Sequence, residues 1–245
     1  MPDPPGRLKY NFMRYGLRLL IACYLRVRVQ GAALLPPDSS YVVCFSHPNW
    51  IDPLLIVGHW PDRRWLYIFG PREADMAVGW RNRLIIWGRV GVPFKPSRDD
   101  LLDTTRRAVG VLRRGHALAI AGEGRLSDRE GEILPLQDGP AFFALRAGVP
   151  IVPLAVIGTR WLRFGKRVRL RIGAPLATDG LRADRETVAR LTKDAQAALE
   201  TLLVGVTDEP PPGPFGRWLT ELFNERPWLA EAVPASDERE GAKPG

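Results

Sequence analysis

Two side chains five positions apart, His47 and Asp52 in the stretch SHPNWID (residues 46–52), have the types that proton transfer needs. An imidazole titrates near neutrality and can take a proton from a weak acid. A carboxylate on its far nitrogen fixes the tautomer and steadies the imidazolium that forms. The apolar run YVVCFS (41–46) ahead of the pair reads as a strand. His47 then falls at a strand's carboxyl end, where open α/β sheets gather their ligands. The same letters admit a second reading, because Asp52 followed by Pro53 is a good helix N-cap and N1 pair. His59 and His116 lack any such context, so the three histidines form no metal set and no metal site is expected. No GxSxG elbow, Walker loop or GxGxxG occurs, which removes the simplest serine-hydrolase and nucleotide-binding readings.

A second segment, AGEGRLSDREGEILPLQDGPAFFALRAGVPIVPLAV (121–156), adds charge at another strand end. The run ALAIA leads into Gly122, Glu123, Gly124 and Arg125, placing a carboxylate and a guanidinium on a strand-to-loop junction that could face the loop of His47. Guanidinium grips phosphate through two parallel hydrogen bonds. A surface ion pair between Glu123 and Arg125 is the plainer alternative. Between the two segments, GVPFKPSR offers Lys95 and Arg98 as further cations, and Pro150 and Pro153 mark the start of a buried strand.

The elements that must position these residues alternate. Strand-like runs occur at 41–46, 65–69, 89–94, 117–121, 151–157 and 168–173. Helix-length stretches lie between most of them: PLLIVGHW, the run Glu73 to Trp87, DDLLDTTRRAVGVLRRG and PAFFALRAG. The alternation predicts an α/β fold, a mixed and mostly parallel sheet flanked by helices, with an antiparallel strand near 168–173. Residues 184–204 read as a further amphipathic helix, DEPPPGPFG as a stiff connector, RWLTELF as a short helix, and 234–245 as a tail without order. The organisation expected is an N-terminal amphipathic helix over 1–28, a main domain over 29–207, and a connector, short helix and tail over 208–245.

The chain has 245 residues, 45% hydrophobic and 25% charged, enough for a sizeable core. Thirty-five basic against 27 acidic residues give a net charge of +8, so an anionic partner is expected. Charge alone would also fit nucleic acid, but no DNA- or RNA-binding motif is visible and none is expected as partner. Cys23 and Cys44 sit in neither disulfide nor zinc spacing. No signal peptide and no apolar run of about 20 residues appears. The segment LKYNFMRYGLRLLIACYLRVRV instead interrupts apolar residues with Arg14, Arg18, Arg26 and Arg28, a pattern for a helix lying on an anionic membrane surface or packed on its own domain. Trp50, Trp80, Trp87 and Trp161 either line an apolar groove, anchor at the headgroup layer or fill core.

The order His47-x4-Asp52, then Glu123-Gly-Arg125, then Gly148-Val-Pro-Ile-Val-Pro153 resembles the glycerolipid acyltransferase family, whose best-known members are 1-acylglycerol-3-phosphate acyltransferases. The likeness spans roughly residues 28–175. It implies transfer of an acyl chain from an acyl-CoA or acyl carrier protein thioester to a hydroxyl of a lysophospholipid, with no further cofactor. His47 would be the general base and Asp52 its orienting acid. Arg125 would hold the acceptor's phosphate, Glu123 and Gly124 would shape the turn, and Lys95 or Arg98 would add a second basic contact. The sequence departs from the family's usual Glu-Gly-Thr-Arg: arginine follows glycine directly and Leu126 takes the usual arginine position. The expected location is peripheral, on the cytoplasmic face of a membrane. A lipid-surface binding protein that keeps the fold without the activity is the competing reading, as is an acyltransferase for another lipid acceptor.

Overall fold

The apolar run from Tyr41 becomes β2 (Val42–Phe45), buried at every position, and it lies at the centre of the sheet. The computed structural model describes residues 6–72, 79–94, 101–127 and 129–224. Around β2 stand β1 (Arg26–Gln30), β3 (Leu66–Arg72), β4 (Gly91–Phe94), β5 (Ala117–Ala121), β6 (Ile151–Ile157) and β7 (Arg167–Ile172). Their order is β1-β7-β6-β2-β5-β3-β4, parallel throughout except for the antiparallel pair β6 and β7. Beside β2, both β5 and β6 are buried along nearly their whole length, as parallel strands covered on both faces require.

One face carries α1 (Arg7–Ala22), α2 (Asp52–His59) and α3 (Gly79–Gly88), packed on Val43, Phe45, Leu154 and Val156. The other carries α4 (Leu101–Arg113), α5 (Gly139–Ala147) and α6 (Arg185–Leu203), packed on Val42, Cys44, Leu118 and Ile120. Asp184 starts α6 by accepting the Thr187 amide at 2.8 Å. After α6 the connector is pinned at both of its acidic residues. Asp208 accepts the Glu130 amide at 3.1 Å, and Glu209 pairs with the buried Lys166 at 2.5 Å. It leads into α7 (Pro214–Asn224).

The helix expected within 1–28 ends earlier, at Ala22, and Arg26–Gln30 is an edge strand in parallel register with β7. Arg-Val-Arg-Val-Gln alternates with a period of two, which suits a strand and not a helix face. Within α1, Tyr10, Met13, Leu17 and Ile21 form the buried stripe. Arg14 also points inward. It donates to the carbonyls of Trp60 and Asp62, at 3.1 Å in the latter case, and so satisfies the chain just after α2. No described helix is long and apolar enough to cross a membrane. Tail residues 234–245 lie outside the described residues.

Candidate active site

Strand β2 delivers His47 to its carboxyl end, and the next strand, β6, locks that end in place. The Ser46 hydroxyl accepts the Val156 amide at 2.9 Å. His47 is itself held through its backbone. Its N–H donates to Glu123 Oε1 at 3.0 Å, and its carbonyl accepts the Ser127 amide at 3.0 Å. The expected meeting of the two loops follows from the register, since β2 and β5 are neighbours with Phe45 opposite Ala121.

The turn after His47 then swings Asp52 back toward the ring. Asn49 closes this turn: its carbonyl accepts the Asp52 amide at 3.0 Å and its side-chain oxygen accepts the Ile51 amide at 3.0 Å. Asp52 Oδ2 stands 3.0 Å from His47 Nδ1 and accepts the Asn49 amide at 2.8 Å. The N-cap reading therefore fails. Asp52 is already the first residue of α2, and no side chain caps that helix. Pro53 keeps its expected place at the helix start, where its missing donor costs nothing.

Asp52 is wholly buried, and burial pushes its carboxyl up from 3.8. The bond to His47, the Asn49 amide and the nearby Thr159 hydroxyl pull the other way. With Nδ1–H given to the carboxylate, the free lone pair sits on Nε2, the nitrogen for which no partner exists among the described residues. The side chain is 11% exposed, and its ring rests edge-on against Phe45 and Trp50. A base in this setting can draw a proton from a hydroxyl that reaches Nε2.

Glu123 is no partner in a surface ion pair. It is 3% exposed, and its second oxygen accepts the Leu134 amide at 3.0 Å, so it ties three loop segments together. Burial raises its carboxyl, and the nearby Asp52 charge adds to the rise. Gly124 adopts φ +68°, the left-handed conformation that turns the loop outward, and Arg125 follows it, exposed and without a carboxylate partner among the described residues. Lys95 and Arg98 lie outside the described residues. The strand before them, β4, stands at the sheet edge three strands from β2, roughly 14 Å away at ~4.8 Å per strand.

Two further residues join the site that the sequence reading passed over. Thr159, fully buried just after β6, approaches Asp52 without reaching full hydrogen-bond geometry: Thr159 Oγ1 and Asp52 Oδ1 are both sealed from water and neither has a hydrogen-bond partner among the described residues. Glu130 holds this loop. Its two oxygens accept the amides of Gly158 and Arg160, at 2.7 and 3.0 Å, and so straddle Thr159. Gly158 has φ +95°, and a Cβ there would stand 2.5 Å from the Arg167 carbonyl, so no larger residue fits. Glu130 sits in the charged string DREGE, which reads as solvated loop; a glycine-threonine pair directly after a buried strand was the available signal for Thr159.

The sequence model of the acyltransferase family matches residues 26–157, more than half of the chain. The chain belongs to the acyltransferase family. The matched interval opens at the first residue of β1 and closes at the last of β6, so it holds His47, Asp52, Glu123, Arg125 and Glu130 and stops two residues short of Thr159. Among solved structures the acyltransferase is similar to the 1-acyl-sn-glycerophosphate (LPA) acyltransferase PlsC from Thermotoga maritima, with a TM-score of 0.61 and 21% identity. The match covers 80% of this chain and 78% of that one. At that identity the likeness establishes the fold, the α/β arrangement expected from the strand pattern.

If the Thr159 hydroxyl acts on His47 through Asp52, removing it should slow turnover without weakening substrate binding. Thr159→Val keeps the shape and removes the hydroxyl. Its turnover should fall by up to about tenfold, the effect of a net hydrogen bond of about 1 kcal/mol that tightens only in the reacting complex, with KM for both substrates little changed. Thr159→Ser should recover most of the loss. Equal turnover in the Val and Ser variants would show that Thr159 only fills space.

Proposed function

We propose that the acyltransferase moves a fatty acyl chain from a thioester, acyl-CoA or acyl carrier protein, to the free hydroxyl of a lysophospholipid, 1-acylglycerol-3-phosphate before others, and so serves phospholipid synthesis. The observation that carries the reading is the buried Asp52 carboxylate 3.0 Å from His47 Nδ1, on a loop whose backbone is held by Glu123 and Ser127, two residues either side of the exposed Arg125. The similar Thermotoga enzyme, an LPA acyltransferase by its printed description, supports the choice of acceptor.

The step runs as follows. The acceptor hydroxyl donates its proton to His47 Nε2 as its oxygen forms a bond to the thioester carbonyl carbon. The tetrahedral oxyanion then collapses, the carbon–sulfur bond breaks, and His47 returns the proton to the departing thiolate. Asp52 holds the ring's Nδ1–H throughout and lowers the energy of the transient imidazolium. Arg125 grips the acceptor's phosphate, and its planar fork sets the distance between that phosphate and Nε2. No cofactor beyond the thioester is needed for this chemistry.

The helix α1 supports peripheral attachment to the cytoplasmic face of an anionic membrane. Leu8, Phe12, Tyr15 and Leu19 line the side of α1 opposite its buried stripe, and each is more than half exposed. Trp87 of α3 extends the patch: Phe12 meets it edge-on, and Lys9 lies over its ring at 4.8 Å. Arg7 and Arg18 flank the stripe and are exposed. An apolar stripe with basic borders suits a helix lying in the headgroup layer. Arg14, Arg26 and Arg28 take no part in this surface. The first is turned inward, and the other two belong to β1.

His47→Ala keeps both backbone hydrogen bonds of position 47. It should still fold, less stably because the buried Asp52 loses a hydrogen-bond donor, and lose about 10²–10⁴-fold in transfer from labelled acyl-CoA to lysophosphatidic acid. A folded His47→Ala enzyme with near-normal transfer would end the base mechanism. In the same assay Arg125→Ala should raise KM for the phosphorylated acceptor well above that of the donor, with Arg125→Lys in between. Unchanged preference for phosphorylated over unphosphorylated acceptor would take the phosphate away from Arg125. For the membrane, Phe12→Ser with Leu19→Ser should release the protein from phosphatidylglycerol vesicles in sedimentation while sparing activity on a soluble short-chain acceptor. Full retention on vesicles would place the attachment elsewhere.

A further inference from the structure

Strands β1 and β7 pair Arg26 with Arg167, Arg28 with Arg169 and Gln30 with Arg171. In parallel strands, residues in register point to the same face. Their alternate neighbours, Val27, Val29, Val168 and Leu170, pack into the core beneath α1 and α2. The arginines therefore project from the opposite face of the sheet. Helix α6 covers β6 on that face, through Ala155, Ile157 and Leu203, and Arg171 is tied to its end by the Leu202 carbonyl at 2.8 Å. The cover stops there. Arg26, Arg28 and Arg167 are exposed, Arg169 is half-buried, and no carboxylate lies within ion-pair distance of these four among the described residues.

This arrangement has a cost within the chain. Like charges directly opposite each other destabilise a strand pair, and parallel strands are ordinarily covered on both faces. Four guanidinium groups stand here on a grid of roughly 4.8 by 6.6 Å, with nothing in the described chain to neutralise them. The grid also sits close to the chemistry. Arg26 and Arg167 begin their strands at the edge of the sheet where β2 and β6 end, the Arg167 carbonyl adjoins Gly158, and β7 is two strands from β2, roughly 10 Å.

We propose that the open face of β1 and β7 is the docking surface for an acidic carrier protein that presents the acyl chain as a thioester. The inference rests on the acyl-transfer reading and selects its donor. Three observations favour this occupant. The face is a flat, open pair of strands, whereas a small phosphorylated ligand needs a concave site that surrounds it. The apolar stripe of α1 points away from the other side of the sheet, so one bilayer plane cannot meet both surfaces. Acidic side chains one turn apart on a helix are separated by roughly 5–6 Å at Cβ, which matches the spacing of the grid. A carrier held there by its acidic helix brings its thioester arm around the strand ends to His47.

The test compares the wild-type protein with the fourfold variant Arg26→Gln, Arg28→Gln, Arg167→Gln, Arg169→Gln. Binding of fatty-acyl carrier protein is measured by calorimetry, and transfer to lysophosphatidic acid is measured with acyl carrier protein and with acyl-CoA as donors. The wild type should bind the carrier, more weakly as salt rises. The variant should bind it at least tenfold more weakly, lose activity with the carrier-borne donor through KM, change less than twofold with acyl-CoA, and melt no lower than the wild type. Three results would each overturn the proposal: no carrier binding by the wild type, equal losses with both donors, or a variant that keeps carrier binding but loses phosphatidylglycerol vesicles or duplex DNA. Because binding is read without turnover, the two readings fail separately. Carrier binding that depends on the arginines in a protein that transfers from neither donor would keep the surface and sink the acyl-transfer reading. Transfer from acyl-CoA with no carrier binding would do the reverse.

Discussion

A carboxylate taken wholly out of water must be met by hydrogen-bond donors or it will not stay ionised, and the architecture around Asp52 answers that demand. Breaking a buried charge pair by removing one partner typically costs about 3–5 kcal/mol, because the other charge is left stranded. The ring of His47 and the Asn49 amide come from the loop between β2 and α2, and the Thr159 hydroxyl comes from the loop after β6. The sheet order makes this convergence possible. With β5 and β6 on either side of β2, the two flanking loops bracket the one that carries the base.

Two more buried carboxylates extend the same logic outward. Among the described residues Glu123 and Glu130 accept only backbone amides, two apiece, and neither faces a cation at hydrogen-bond distance. Both therefore act as fasteners for loops that have no regular structure of their own. Burial raises the carboxyl of each, and the charge on Asp52 raises them further, so the three compete for the same scarce positive potential. This tension is tolerable because the amides they hold would otherwise be orphaned in the interior, where an unmet donor costs about 1–3 kcal/mol.

Much of this is legible in the amino-acid sequence. Six strands and the reversal of β7 follow from apolar runs and their punctuation, while residue type and spacing only nominate His47 and Asp52 as a pair, which the resemblance to the glycerolipid acyltransferases favours. What local pattern could not supply was long-range. Arg26–Gln30 alternates like a strand but continues an apolar helical segment, and its partner lies far downstream in β7. Asp52 suits a cap and a triad acid equally well by its letters; a turn closed by Asn49 decides between them. Glu130 reads as solvated because its neighbours in sequence are charged. Its burial depends on Gly158, Arg160 and Asp208, none of them near it in the chain.

The pairing of β1 with β7 has a consequence for how the molecule is made. Gln30 and Arg171, which meet across the pair, are 141 residues apart. A chain growing from its amino end exposes β1 long before its partner strand exists, and contacts of such separation form slowly. During that interval β1 is an open strand edge, the kind of surface that nucleates association between copies. Alternating arginines keep such an edge soluble by repelling its own kind, so the composition of β1 guards the nascent chain through the period in which it cannot yet be folded.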